Sequence, residues 1–299
     1  MRNPAPEPDG RGHDAAAAIL GALLADFSLG VASKETGELA GTRSLIPPGT
    51  RVHVGFVDSE DMAMRVSTAR AVRQSGFVPV PVIAARRLRS EAMLREYLAW
   101  LLASGASGSV LVVAGDPAQP RGPYPDAISV IGSGVLEEYG VREASVAGHP
   151  GGHPAVLDSV LWPALARKTA ALEERGLGGS VVTQFGFDAD LVLAWLADAR
   201  ARGISLPVRV GVPGPASVRR LLWYASLCGV AVSPPAARKY GFSLTDLMSM
   251  AGPDRFIRML ASGYDARVHG EVKLHFNTFS GIAATAEWIS GCVALDEES

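Results

Sequence analysis

The chain has 299 residues, 48% of them hydrophobic and 19% charged, with a formal net charge of -2. That length holds one large α/β domain or two small ones, and the near-neutral balance gives no electrostatic reason for a nucleic-acid or anionic-membrane partner, so a small-molecule ligand is expected. Cys228 and Cys292 stand far apart without a C-x-x-C companion; this suggests neither a disulfide framework nor a zinc knuckle, and it fits a reducing cytoplasm.

In chain order, MRNPAPEPDGRGHD (1 to 14) reads as a disordered tail. AAAAILGALLA (15 to 25) reads as a first helix, too short for a bilayer span and lacking the basic flank of a leader. Short β-rich runs then alternate with helical patterns: DFSLGVA (26 to 32), RVHVGFV (51 to 57), VPVPVIA (78 to 84), SVLVVAG (109 to 115), REASVAG (142 to 148), GSVVTQF (179 to 185), PVRVGVP (207 to 213) and EVKLHFN (271 to 277). The helical segments DMAMRVSTARAVRQSG, SEAMLREYLAWLLASG and DADLVLAWLADARARG each open on Asp or Ser and close on Gly, as caps would. Strand followed by helix, repeated, implies parallel pairing, and eight repeats imply a (β/α)8 TIM barrel over residues 15 to 299 as a single domain. A doubly wound six-stranded sheet would leave segments unassigned. The last repeat carries an insertion with two helical patterns, ASVRRLLWYASLCG and SLTDLMSMAGPDRFIRMLASG.

Catalytic groups of such barrels stand at the C-terminal ends of the strands. This rule selects Asp58, Ser59 and Glu60 after the second strand, Asp116 after the fourth, His149 and His153 after the fifth, Thr183 and Gln184 at the sixth, and Asn277 and Thr278 at the eighth. Gln184, wedged between Thr183 and Phe185 at the end of an apolar run, must find partners for its amide or hold a ligand, because an unsatisfied buried polar group costs roughly 1–3 kcal/mol.

The phrases VVAGDP, AGHPGGHP, ARKTAALEERGLGGSVVTQFGFD and LHFNTF, in this order, resemble the methylenetetrahydrofolate reductase family from about the fourth strand to the C-terminus. The resemblance implies a (β/α)8 barrel that reduces 5,10-methylenetetrahydrofolate to 5-methyltetrahydrofolate with a nicotinamide, usually through bound FAD. It places Asp116 on the pterin and Gln184 on the folate, with Thr183, Phe185 and Asn277 beside them and His153, Arg167 and Lys168 on the cofactor side. Taken alone, Gln184 could equally bond neighbouring backbone, and Asp116 could be a helix cap.

Several family positions are changed. The first-strand Glu that serves as general acid is replaced by Gly30; Glu60 and Glu35 are the nearest carboxylates that could stand in for it, and Glu60 is taken as the acid. Where flavin contacts are expected, the chain has Pro81 and Val82, His149 and Pro150, Leu161 and Ala164. This pattern resembles the flavin-independent branch, with NADH reducing the folate directly and FAD absent. The alternatives are an FAD-dependent reductase and a folate-binding barrel without catalysis.

His149 and His153 are not expected to hold a metal, because Pro-Gly-Gly between them prevents a helix that would align both imidazoles. Neither GSGVLEEYG nor GLGG forms the dinucleotide-binding fingerprint after a strand. RRLRS (86 to 90) reads as a solvated basic loop or as a contact for a polyglutamate tail or a pyrophosphate, and Trp195, Trp223 and Tyr224 read as helix-to-barrel packing. A cytoplasmic monomer is expected.

Overall fold

The computed structural model describes residues 18–56, 61–279 and 281–297. Eight parallel strands close into a barrel: β1 (Ser28–Val31), β2 (Arg51–Val54), β3 (Val78–Ala84), β4 (Ser109–Val113), β5 (Glu143–Gly148), β6 (Val181–Thr183), β7 (Val208–Pro213) and β8 (Val272–Asn277). Closure is made by β1 against β8, with Ser28 opposite His275 and Gly30 opposite Asn277. Each of the eight apolar runs in the sequence supplies one stave, and the intervening helices cover the outside.

The strands alternate in character, and the alternation sets which face is dry. Val52, Val54, Val110, Val112, Ala144, Val146, Val208, Val210, Leu274 and Phe276 are all but fully buried, as positions under the helices should be. The other register is polar: Arg51 and His53 on β2, Ser109 on β4, Glu143 and Ser145 on β5, Arg209 on β7 and Lys273 on β8 line one cavity of about 220 Å³ at the N-terminal end of the barrel. TIM-barrel interiors are dominated by branched apolar side chains, so this polar filling has to be held by internal bonds. Arg209 donates to both the carbonyl and the carboxylate of Asp26 at 2.8 Å, Arg51 reaches Asp26 and Glu143 at 3.4 Å, and the Ser109 hydroxyl donates to Glu143 at 3.1 Å.

Three of the surrounding helices start where their caps predict. The side chains of Asp61, Ser90 and Asp188 accept from the amides of Met64, Met93 and Asp190, ahead of the helices Met62–Gln74, Glu91–Ala103 and Ala189–Ala201. The insertion between β7 and β8 differs from the expectation. Val218–Leu227 is helical, but the second pattern is not one helix: residues 243–249 are irregular, and within it only Asp254–Gly263 is helical. Met250–Ala251 instead pairs antiparallel with Ala216–Ser217, and Gly252-Pro253 marks the break. The expected packing role holds for Trp195, which stacks on Trp162 at 5.4 Å, and for Tyr224, which stacks on Phe279 at 4.4 Å. It fails for Trp223, whose surface is 57% exposed because its face of the insertion helix turns outward. Among the described residues no helix is long and apolar enough to cross a membrane.

Candidate active site at the C-terminal mouth

The end of β6 shows why Thr183, Gln184 and Phe185 follow one another. Thr183 is 3% exposed, and its hydroxyl accepts from the amide of Gly211 on β7 at 2.8 Å, so it fastens two staves together. Phe185 is also 3% exposed and sits edge-on against Phe187 and Phe279, within an aromatic cluster that fixes the insertion to the barrel. The structure therefore gives Thr183 and Phe185 supporting positions, where the sequence placed them on the substrate. Replacing Thr183 by Val is expected to cost about 1–3 kcal/mol in urea unfolding, because the Gly211 amide loses its buried acceptor, while Thr183→Ser stays near wild type.

Gln184 is left as the one polar side chain of this stretch with bonding capacity. Its Oε1 accepts from the Phe185 amide at 3.1 Å, and its Nε2 reaches the Cys228 carbonyl only at 3.5 Å, at the weak limit of a hydrogen bond. Asp116, beyond β4, is 86% exposed at its side chain and pairs with Arg87 at 3.0 Å. Gln184 thus touches the carbonyl of Cys228, a residue exposed at the surface. Asn277 ends β8 opposite Gly30 and is half-buried.

Gly30 has a steric reason. A Cβ there would lie 3.3 Å from the His275 imidazole, which would have to give by a few tenths of an ångström, and 3.8 Å from the Asn277 side chain. Glu35 is 4% exposed, and its two oxygens accept from the Ala32 amide at 2.9 Å and the Thr278 hydroxyl at 2.7 Å. Desolvation raises its pKa against these bonds, and the result is a clamp between the chain after β1 and the end of β8. Glu60, with Asp58 and Ser59, lies outside the described residues.

The residues expected on the cofactor side separate. Lys168 is largely buried, donates to the Ala147 carbonyl, and is lowered to about 8 by desolvation. His149 is lowered to about 4 by burial, then by Lys168 and His153, whose ring stands 5.3 Å away edge-on. His153 and Arg167 are exposed. The structure thus gathers His149, His153 and Lys168 at the end of β5, with Arg167 turned to the surface. Among the described residues no group of three or more His, Cys, Asp or Glu could hold a metal ion.

A second group was not selected from the sequence. Arg65, on Met62–Gln74, is 7% exposed, with its guanidinium over the rings of Phe56 at 4.4 Å and Tyr97 at 4.9 Å. The available signal was Arg65 in line with Ala69 and Val72, at i+4 and i+7 on the buried face of the helix.

No protein-family model matches this chain. Among solved structures, a Burkholderia cenocepacia J2315 protein described as a phosphonomutase superposes with a TM-score of 0.51 at 13% identity, over 97% of this chain and 99% of that one. A dihydropteroate synthase from Thermus thermophilus aligns with a TM-score of 0.45 at 16% identity, over 90% and 93% of the two chains. The first likeness is one of barrel fold.

Proposed function

We propose that this barrel is an oxidoreductase that reduces 5,10-methylenetetrahydrofolate to 5-methyltetrahydrofolate with NADH, by direct hydride transfer and without bound flavin. The observation that supports it most is that two strand-end groups keep polar capacity: the exposed Asp116 carboxylate beyond β4, and the Gln184 amide at the end of β6, whose Nε2 makes only a 3.5 Å contact. A pterin edge presents donor and acceptor together; a carboxylate can pair its aminopyrimidine side in two bonds, and a primary amide offers one donor and one acceptor. The phrase that carries Gln184, with the Arg-Lys helix before it, is also the most family-like in the chain.

The side chains at the expected flavin contacts do not fit that group. Val82, Leu161 and Ala164 offer no hydrogen-bonding atom, and His149 is held neutral. Direct transfer needs less from the protein. Opening of the imidazolidine ring, with a proton delivered to N10, leaves an iminium at N5 that accepts the hydride from NADH and yields the methyl group and NAD+. Orientation of the two substrates at van der Waals distance supplies much of the acceleration, and a positioned acid adds about a hundred- to ten-thousandfold. Glu60 is the acid in this reading, since both oxygens of Glu35 are engaged in its clamp.

The test is the visible spectrum of the purified protein, followed by NADH oxidation on adding methylenetetrahydrofolate without free flavin. Turnover without a flavin band is expected, with Glu60→Gln slower by about a hundredfold or more. A flavin band that tracks activity would replace the direct mechanism with an FAD-dependent one, and folate binding without turnover would leave a binding protein.

A further inference from the structure

Beside the mouth, the ends of β2 and β3 and the helices Met62–Gln74 and Glu91–Ala103 enclose a second cavity, of about 280 Å³. Among the described residues four arginines line it, Arg65, Arg87, Arg89 and Arg121, with the carboxylate of Asp61. The Asp61 carboxylate is engaged as a helix cap, accepting from the Met64 amide at 2.7 Å.

Two buried groups in the wall lack, among the described residues, the partners their burial requires. Arg65 is 93% buried by its 7% exposure, yet its one hydrogen bond among the described residues is a 3.5 Å contact from Nε to the Asp61 carbonyl, and no carboxylate among them pairs with it. The Tyr97 hydroxyl, in a residue 2% exposed, has no hydrogen-bond partner among the described residues. A guanidinium removed from water without a counter-charge is strongly unfavourable, and an unpaired buried hydroxyl adds to the cost. Phe56 draws the two guanidiniums to one place, because Arg65 and Arg87 both lie over its ring, at 4.4 and 4.8 Å, and Arg87 also pairs with Asp116. Aromatic contact offsets part of the cost of burying the Arg65 guanidinium, and an anion in the cavity would offset more.

We propose that this arginine-lined cavity is a binding site for an oxyanion-bearing ligand, with Arg65 and the Tyr97 hydroxyl contacting its charged oxygens and Phe56 its flat neighbour. The oxyanions have two sources, the phosphates of a nucleotide or the carboxylates of a polyacidic tail. The site stands on its own geometry and does not depend on the reductase reading. Arg87 joins it to the mouth through its ion pair with Asp116, so a ligand long enough would occupy both.

The test is calorimetric titration of the full chain with inorganic pyrophosphate and, separately, with p-aminobenzoyl-triglutamate, each at low and high salt. At least one should bind, weaken steeply with salt, and raise the melting temperature. Arg65→Met keeps the stem and removes the charge; it should bind about tenfold or more weakly and melt higher than wild type without ligand, since an apolar side chain suits the pocket better than an unpaired cation. Tyr97→Phe should weaken binding without lowering the melting temperature. Should Arg65→Met not fold, the surface pair Arg89→Ser and Arg121→Ser carries the same expectation for affinity. Preference for pyrophosphate assigns the cavity to phosphates, and preference for the triglutamate assigns it to carboxylates. Absence of binding by both probes, or binding unchanged in the arginine variants, overturns the proposal. Pyrophosphate binding in a protein that never oxidises NADH with folate keeps the site and removes the reductase reading.

Discussion

Mild acid is expected to unfold this barrel, and the cause lies in its polar interior. His53 and His275 face each other with ring centroids 4.5 Å apart, at 3% and 6% exposure. Burial and the Arg209 charge lower His275 to about 3; burial, then His275, Arg209 and Arg51, hold His53 well below its ordinary value. Both folded pKa values lie under the unfolded one, so the unfolded chain takes up protons that the native state refuses. The stabilisation is complete above about pH 6.5 and is lost as pH falls from there toward the folded values. Each histidine contributes about 1.4 kcal/mol per pH unit across that window, and the pair nearly twice that. If the native stability lies at the low end of the typical range, about 5 kcal/mol, unfolding should arrive roughly two units below about pH 6.5.

His149, lowered to about 4, acts with the same sign, discounted because its ring is partly exposed. Glu35 acts in the opposite sense: its raised pKa contributes stability at low pH that is lost as pH rises through the folded value. One carboxyl does not offset the histidine pair. Far-UV circular dichroism against pH at fixed ionic strength measures the midpoint. His275→Gln can still bond the Ser28 hydroxyl, which lies 2.9 Å from Nδ1 in the native protein, but takes up no proton. Its midpoint should move down by roughly half a unit or more. Identical acid transitions in His275→Gln, His53→Gln and the native chain would remove the histidine pair as the cause.

The same interior explains what the sequence disclosed and what it hid. All eight staves were legible, because each is a short β-branched run between capped helices, and Asp61, Ser90 and Asp188 cap where their positions suggest. The direction of the polar positions was not. In R-V-H-V or V-K-L-H-F-N the alternation looks like a sheet with one face in water, but here the polar face turns to the barrel axis and only closure reveals it. The segment 243–253 read as helix because Leu244, Leu247 and Met248 fall at helical spacing, yet Leu247 and Met248 are 43% and 76% exposed, and tertiary pairing through Met250 decided the backbone. Of VVTQFGFD, one residue could be assigned by polarity alone: Gln184 keeps bonding capacity at the mouth, while Thr183 and Phe185 became support through contacts with Gly211 and Phe279, more than 20 residues away in sequence. Arg65 was hidden by the ordinary prevalence of arginine on helices.

Gly211→Ala should be the most damaging single methyl in the barrel wall near the mouth. A Cβ at this position would stand 2.5 Å from the Thr183 carbonyl oxygen, 2.7 Å from the Phe185 amide nitrogen and 2.8 Å from the Phe185 Cα. All three are backbone atoms, so no rotamer change relieves the contact, and the need for glycine here is one of space. The ladder shows the reason: β6 pairs with β7 at Val181 and Val182, then its tail folds close over Gly211, held by the Gly211 amide on Thr183. Relief requires the tail to move by nearly 1 Å, which loosens that bond and displaces Gln184. Overpacking of about 1–3 kcal/mol adds to a lost buried hydrogen bond of about 1–3 kcal/mol, so urea unfolding should report a loss of roughly 2–6 kcal/mol. A displacement of that size at a positioning group costs about a hundredfold in rate, so NADH oxidation should fall by a similar factor if Gln184 orients the folate. Gly186→Ala is the matched control, because a Cβ there meets nothing within 4 Å and the residue is only two positions beyond Gln184. It should unfold within about 1 kcal/mol of the native chain, on the stable side if it moves at all, by restricting the unfolded state. Equal stability of the two alanine variants would mean that β6 can give way over Gly211, and that the position of Gln184 is set by the insertion and its Cys228 carbonyl instead.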